Sequence, residues 1–175
     1  MASKILLSIL VSLSFAKKIP MPKQNPKVPD AIMKAVKKKH PDFKLLSHLS
    51  FSAAVMKIAS HHPAKVLGDF NNDKKQDAGL YGYSQKERKF FILAIVSSGK
   101  KKKYKVFKIN EEPFQPKQEV SGFGNYLNMG YKGSNKYLKR DVLQWESVGE
   151  GPASVTAYYY SRKSKKMKIL EDSMD

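Results

Sequence analysis

The chain has no cysteine and one tryptophan in 175 residues, and only Arg88, Arg140 and Arg162 of its 33 basic residues are arginine. Without cysteine there is no disulfide framework, thiol nucleophile or Cys-ligated zinc, so stability must come from a packed core. Scarce arginine argues against dense bidentate readout of phosphates or bases, which relies on the guanidinium fork. Acidic residues are also few, 15 in all, leaving a formal charge of +18. That balance favours anionic partners such as nucleic acid, a membrane surface or an acidic envelope polymer. Lysine spread along the whole chain looks more like a solvated, soluble face than a dedicated polyanion site.

The N-terminus reads as an export signal. Lys4 precedes the apolar run Ile5–Leu13, and Ser14-Phe15-Ala16 offers small residues at the −3 and −1 positions. The run is too short to span a bilayer as a permanent helix. Removing residues 1–16 takes away only Lys4 among the charges, leaving 159 residues at +17, enough for one domain with a real core. The expected organisation is a signal over 1–16, a Pro/Lys-rich flexible leader over 17–29, and a single domain over 30–175. The protein is expected outside the cytoplasm, periplasmic or secreted, as a monomer with no transmembrane span.

One stretch carries recognisable chemistry. Gly68-Asp69-Phe70-Asn71-Asn72-Asp73-Lys74-Lys75-Gln76-Asp77 places oxygen-bearing side chains at relative positions 1, 3, 5 and 9. A curled loop can aim alternate side chains inward, and hard cations want six to eight oxygens. The stretch resembles the Asp-rich calcium loop of FG-GAP/VCBS-type repeats, which joins two β-strands. The resemblance implies a Ca²⁺ site with Asp69, Asn71, Asp73, the carbonyl of Lys75, and Asp77 as ligands. It departs from the family at Lys74, where glycine is usual and a left-handed turn is cheaper. It is not an EF-hand, because relative position 12 is Leu80 rather than glutamate. An Asx-rich hairpin loop that needs no metal fits the same residues.

The remaining pattern predicts an α+β fold: two N-terminal helices packed on an antiparallel meander of about seven strands. Asp30 is the expected cap of a helix through Lys39, and Ser50 or Ser52 of a second through Ala59, with Phe51, Val55 and Ile58 aligned. Strands are expected at Phe43–Leu46, Ala64–Phe70, Ala78–Ser84, Lys89–Ser97, Tyr104–Asn110, Asp141–Val148, Ser154–Ser161 and Lys166–Leu170. Phe90–Val96, apolar on both alternating sets, is expected to be covered on both faces, one of them by the N-terminal helices. Glycine turns between short strands are expected over Glu111–Arg140, and Gly122-Phe123-Gly124 lacks the Gly-Lys-Ser/Thr of a nucleotide loop.

Two function classes remain. The first is an exported, non-enzymatic binding or structural module whose Asp loop holds Ca²⁺. The second is a cationic module for anionic envelope polymer or nucleic acid, with Lys100–Lys103 and Arg162–Lys168 as its patch. Tyr158, Tyr159 and Tyr160, beside Arg162, could stack sugars or bases. His40, His48, His61 and His62 lack metal-ligand spacing with an acidic partner. Asp141, Glu146 and Glu150 are the carboxylates an acid/base pair would need, but no nucleophile–base signature accompanies them, so no enzyme is expected.

Overall fold

Water must be kept from both sides of Phe90–Val96, and the architecture does so with a layer on each face. A computed structural model describes residues 25–59, 61–99, 103–113, 124–130, 141–148 and 154–170. The expected signal, the first eight residues of the leader, Lys100–Lys102, Gly122, Phe123, Arg140 and Glu150 lie outside those residues. Along the chain run α1 (Asp30–Lys39), β1 (Phe43–Leu45), a 3-10 turn (His48–Ser50), α2 (Ala53–Ile58), β2 (Lys65–Gly68), β3 (Asp77–Ser84), β4 (Lys89–Ser97) and β5 (Tyr104–Pro113). Then come β6 (Asn125–Gly130), β7 (Val142–Ser147), β8 (Val155–Ser161) and β9 (Lys166–Ile169).

These strands form two antiparallel sheets. The first has the order β1-β3-β4-β5, with β2 pairing the other half of β3; the second has the order β6-β7-β8-β9. The expectation of two helices on one sheet of about seven strands is therefore corrected: the fold is mostly β, and a second sheet supplies one of the covering layers. Alternation along β4 decides which layer meets which residue. Phe90, Ile92, Ala94 and Val96 share a core with Leu127, Leu143, Tyr158 and Tyr160 of the second sheet. Phe91, Leu93 and Ile95 pack with Ile32 and Val36 of α1. The two helices also part company, since Val55 and Met56 of α2 belong to the core between the sheets.

The meander β3-β4-β5 forms as its short connections require, antiparallel throughout. A register shift between Ile92 and Leu93 places Ile109 as an extra residue in β5. Pro113 is the last residue of β5, a place an edge strand permits. The strand β6 lies in the stretch read as glycine turns between short strands, where no strand had been given bounds.

Local signals explain the helices and two corrections to them. Ile32 and Val36, four residues apart, are the buried stripe of α1, and three lysines fill its last turn, where the helix dipole favours cations. Asp30 is the first helical residue instead of the cap; Pro29 precedes it and no side chain caps the end. In α2 the expected cap is present, with Ser52 Oγ accepting from the Val55 amide at 3.3 Å. Ile58, the last helical residue, leaves the expected stripe and is 53% exposed.

Two glycines in β3 admit close neighbours. At Gly79 a Cβ would lie 2.5 Å from Leu143 Cδ1, one of the places where the second sheet packs on the first. At Gly82 it would lie 2.3 Å from the Lys44 carbonyl oxygen and 2.4 Å from Phe43 Cζ, where β1 pairs with β3. Backbone and a buried ring leave little room to yield. Gly82→Ala is expected to cost about 1–3 kcal/mol by overpacking, lowering the melting temperature by about 2–4 °C for each kcal/mol. Thermal melts followed by circular dichroism measure it, and an unchanged midpoint would contradict the packing of β1.

Candidate functional site: the Asp loop and its basic cleft

Gly68 at the end of β2 pairs with Asp77 at the start of β3, so residues 69–76 form a hairpin loop. Its side chains close on its own backbone. Asp69 accepts from the amides of Asp73 (3.0 Å) and Lys74 (2.8 Å), one on each carboxylate oxygen. Asn71 Oδ1 also accepts from the Asp73 amide at 3.0 Å, and Asp73 Oδ1 from the Lys75 amide at 3.0 Å. Asn72 and Lys74 adopt left-handed backbone, with φ of 55° and 64°. Asn tolerates that conformation, whereas Lys74 carries the strain foreseen from the glycine usual at its position. The Lys75 ammonium turns out of the loop to the Gly99 carbonyl, at 2.5 Å.

Asp77 is fully buried and works as a brace. Its Oδ2 accepts from the Phe70 amide at 2.8 Å and its Oδ1 from the Ser97 amide at 2.7 Å, joining the loop to the end of β4. Burial pushes its carboxyl up to about 7 against the pull of those two amides, and the nearby charges of Asp73 and Asp69 add to the rise. Burial also opposes ionisation of Asp73, but hydrogen bonds from Ser97, the Lys75 amide and Asn71 hold its carboxyl below the usual range.

The expected calcium ligands thus come together in sequence order as one loop. Their side-chain oxygens are hard donors of the right kind, but they accept from backbone amides and, at Asp73, also from Ser97 Oγ. Among the described residues, no three His, Cys, Asp or Glu side chains are grouped to hold a metal ion. The resemblance also could not foresee the outside supports. Asp141 Oδ2 accepts from the Asp69 amide at 2.8 Å. Arg162, in the turn between β8 and β9, donates from Nε to the Asn71 carbonyl at 2.8 Å and from Nη2 to the Asn72 carbonyl at 2.7 Å.

That reach brings the second sheet over the loop and encloses a cleft of about 490 Å³. Arg162 and Lys165 enter from the β8–β9 turn, Lys105 from β5, and Asn71 and Asp73 from the loop. Ser97, Ser98 and Gly99 complete the wall with Tyr160. The segment Arg162–Lys168 thus contributes Arg162 and Lys165 here; the neighbouring Lys103 is exposed, and Lys100–Lys102 lie outside the described residues.

Other expectations fall elsewhere. Tyr158 and Tyr160 point into the core, leaving Tyr159 as the half-exposed member of the three. Asp141 supports the loop, while Glu146 accepts from Tyr126 Oη and, at 2.6 Å, from Asn128 Nδ2. Five residues of extended chain set the Asp141 and Glu146 backbones roughly 17 Å apart, and an odd spacing along a strand sends the two side chains to opposite faces, which does not suit a glycosidase pair. His62 and His40 are buried; burial lowers both, His62 to about 4, with Lys65 adding to the fall there and Lys108 doing so at His40. A larger groove, between β5 and β9, is lined by Phe107, Ile109, Met167 and Ile169 together with Lys108, Lys166 and Lys168. Lysine on an edge strand commonly serves to discourage sheet-to-sheet pairing. Comparisons with protein-family models, with curated proteins and with solved structures return no match.

The pH dependence of stability separates Asp77 from the histidines. The Asp77 carboxyl, raised from 3.8 to about 7, contributes stability that is full below pH 3.8 and is lost as pH climbs towards 7. His62, lowered from 6.5 to about 4, contributes stability that is full above pH 6.5 and is lost as pH falls towards 4. The two oppose each other between these limits. Asp77→Asn is therefore expected to make stability fall more steeply with acid than in the parent, by up to about 1.4 kcal/mol per pH unit. Urea unfolding between pH 4.5 and 6.5 reads the slopes, and equal slopes would show that Asp77 ionises normally.

Proposed function

We propose that the protein is an exported, non-enzymatic binding module that takes the anionic groups of an envelope polymer in the cleft beside its Asp loop. One observation carries the reading: Lys105, Arg162 and Lys165 come from different sheets and meet at a single cavity. A solvated lysine face has no reason to bring cations together, since like charges repel. Export is supported by Lys4, the apolar run Ile5–Leu13 and Ser14-Phe15-Ala16. Among the described residues, no helix is long and apolar enough to cross a membrane.

Heparin, as a generic polyanion, tests the cleft. Lys105→Gln/Lys165→Gln is expected to lose most of the binding, whereas the control Lys34→Gln/Lys38→Gln, on the exposed face of α1, loses little. With about three contacts, affinity is expected to fall roughly 20- to 40-fold between 50 and 200 mM salt. Equal losses in the two double variants would return the lysines to a solvated face.

A second reading keeps the Asp loop as a Ca²⁺ site like those of FG-GAP/VCBS-type repeats, with Asp69, Asn71, Asp73, the Lys75 carbonyl and Asp77 as ligands. It is favoured by the mutual repulsion of Asp69, Asp73 and Asp77, which a dication would relieve. An ion that binds only the folded chain raises its stability, by ~2.7 kcal/mol at 100 times Kd. Thermal melts in EDTA, Mg²⁺ and millimolar Ca²⁺ are expected to differ, with the calcium gain lost in Asp73→Ala and Mg²⁺ a poor substitute. Identical melts would leave the loop as a self-bonded turn.

A further inference from the structure

The cleft is not uniformly cationic. Asp73 lines it among the three cations, with one carboxylate oxygen on the Lys75 amide and the other on Ser97 Oγ. Each carboxylate oxygen can accept more than one hydrogen bond, and a carboxylate can only accept. A ligand reaching Asp73 must therefore bring donors. Arg162 makes the complementary demand. Its Nε and Nη2 hold the Asn71 and Asn72 carbonyls. Of the five N–H donors on a guanidinium, three have no partner among the described residues. Those donors are planar, permanently charged and fixed in place, suited to an oxyanion. Lys165 stands three residues on, held in a left-handed turn with φ of 54°, and Lys105 closes the opposite side.

We propose, resting on the binding reading above, that the ligand of this cleft is an anionic saccharide: a hydroxyl-bearing sugar carrying a carboxylate or a phosphate. The anionic group sits on Arg162 with Lys165 and Lys105. Neighbouring hydroxyls donate to Asp73 and exchange hydrogen bonds with Ser98 and the backbone of Gly99. A deoxyribose-phosphate chain meets the same cations but offers Asp73 a second negative charge and no backbone donor. Asp73 is therefore a selectivity residue. It favours spaced charges with hydroxyls between them over a continuous phosphate chain.

NMR titration of the isotopically labelled full chain in EDTA, following the Ser98 and Gly99 amides, tests this. The probes are tetragalacturonate for the sugar carboxylate, glucose 6-phosphate for the sugar phosphate, neutral maltotetraose, and the octanucleotide of thymidine. At least one of the first two is expected to bind more tightly than the octanucleotide, and maltotetraose not to bind. The difference between the two sugar arms identifies the anionic group. Asp73→Asn is expected to weaken the anionic sugar about tenfold, the loss of a charge-assisted hydrogen bond, while the octanucleotide binds as well or better. Lys105→Gln/Lys165→Gln, remote from the loop backbone, is expected to weaken every anion and serves if Asp73→Asn does not fold. If the octanucleotide binds tighter than both sugars, or Asp73→Asn strengthens all anions alike, the saccharide assignment is overturned while the anionic cleft stands. If no anion binds, both readings are overturned.

Discussion

Seven consecutive apolar residues, Phe90 to Val96, impose a demand that one layer cannot meet. Each large side chain taken out of water contributes about 1.5–3 kcal/mol, and a strand sends them alternately to opposite faces. The first sheet therefore needs cover on both sides. A short amphipathic helix with two buried aliphatics, Ile32 and Val36, suffices for one face. The other face carries Tyr81, Phe90, Ile92, Ala94 and Val96, and a six-residue helix cannot enclose that area. The second sheet supplies what is missing. Gly79 is part of the solution, because its missing Cβ lets Leu143 approach β3.

The individual strands were legible because alternation and turn residues are local signals. Observed β2 to β5 and β7 to β9 lie within a few residues of the expected ones. The number of sheets was not legible, because strands of one continuous sheet and strands of two stacked sheets alternate alike. The clue was present in Phe90–Val96, whose double-sided apolarity calls for two covering layers; the N-terminal helices were expected on one face, and no layer was named for the other, where the second sheet and α2 pack. The strand β6 was hidden by Gly124 and Gly130 at its ends, which read as turns. Glycine there allows a strand only because Tyr126 and Leu127 find cover in the shared core.

The loop was legible as chemistry and illegible as geometry. Asx residues at alternate positions announce a tight turn, and Lys74 in place of glycine correctly marked where strain would fall. What the oxygens of Asp69, Asn71, Asp73 and Asp77 face is decided by backbone amides that no spacing rule lists. Asp77 in particular is defined by distant groups, since the Ser97 amide it accepts from belongs to the far end of β4. Arg162 is the plainest case. It stands 91 residues from Asn71, and its sequence neighbours mark only a basic turn. Nothing local announces a guanidinium that holds a loop of the other sheet.

That contact also explains how three cations can share one cleft. Bringing Arg162, Lys165 and Lys105 together costs Coulomb energy, moderated by water at an open mouth. The Asn71 and Asn72 carbonyl dipoles point their negative ends at Arg162, and Asp73 adds a full negative charge beside it. The loop that carries these groups is held by its own Asx bonds and by the Asp77 brace, so the offsetting charge is fixed in place. The Asp loop and the basic turn are therefore one electrostatic unit built across two sheets. A unit with its negative groups built in has less attraction left for a dense polyanion than three bare cations would have. Its preference passes to ligands whose charge is isolated and whose remaining groups donate hydrogen bonds.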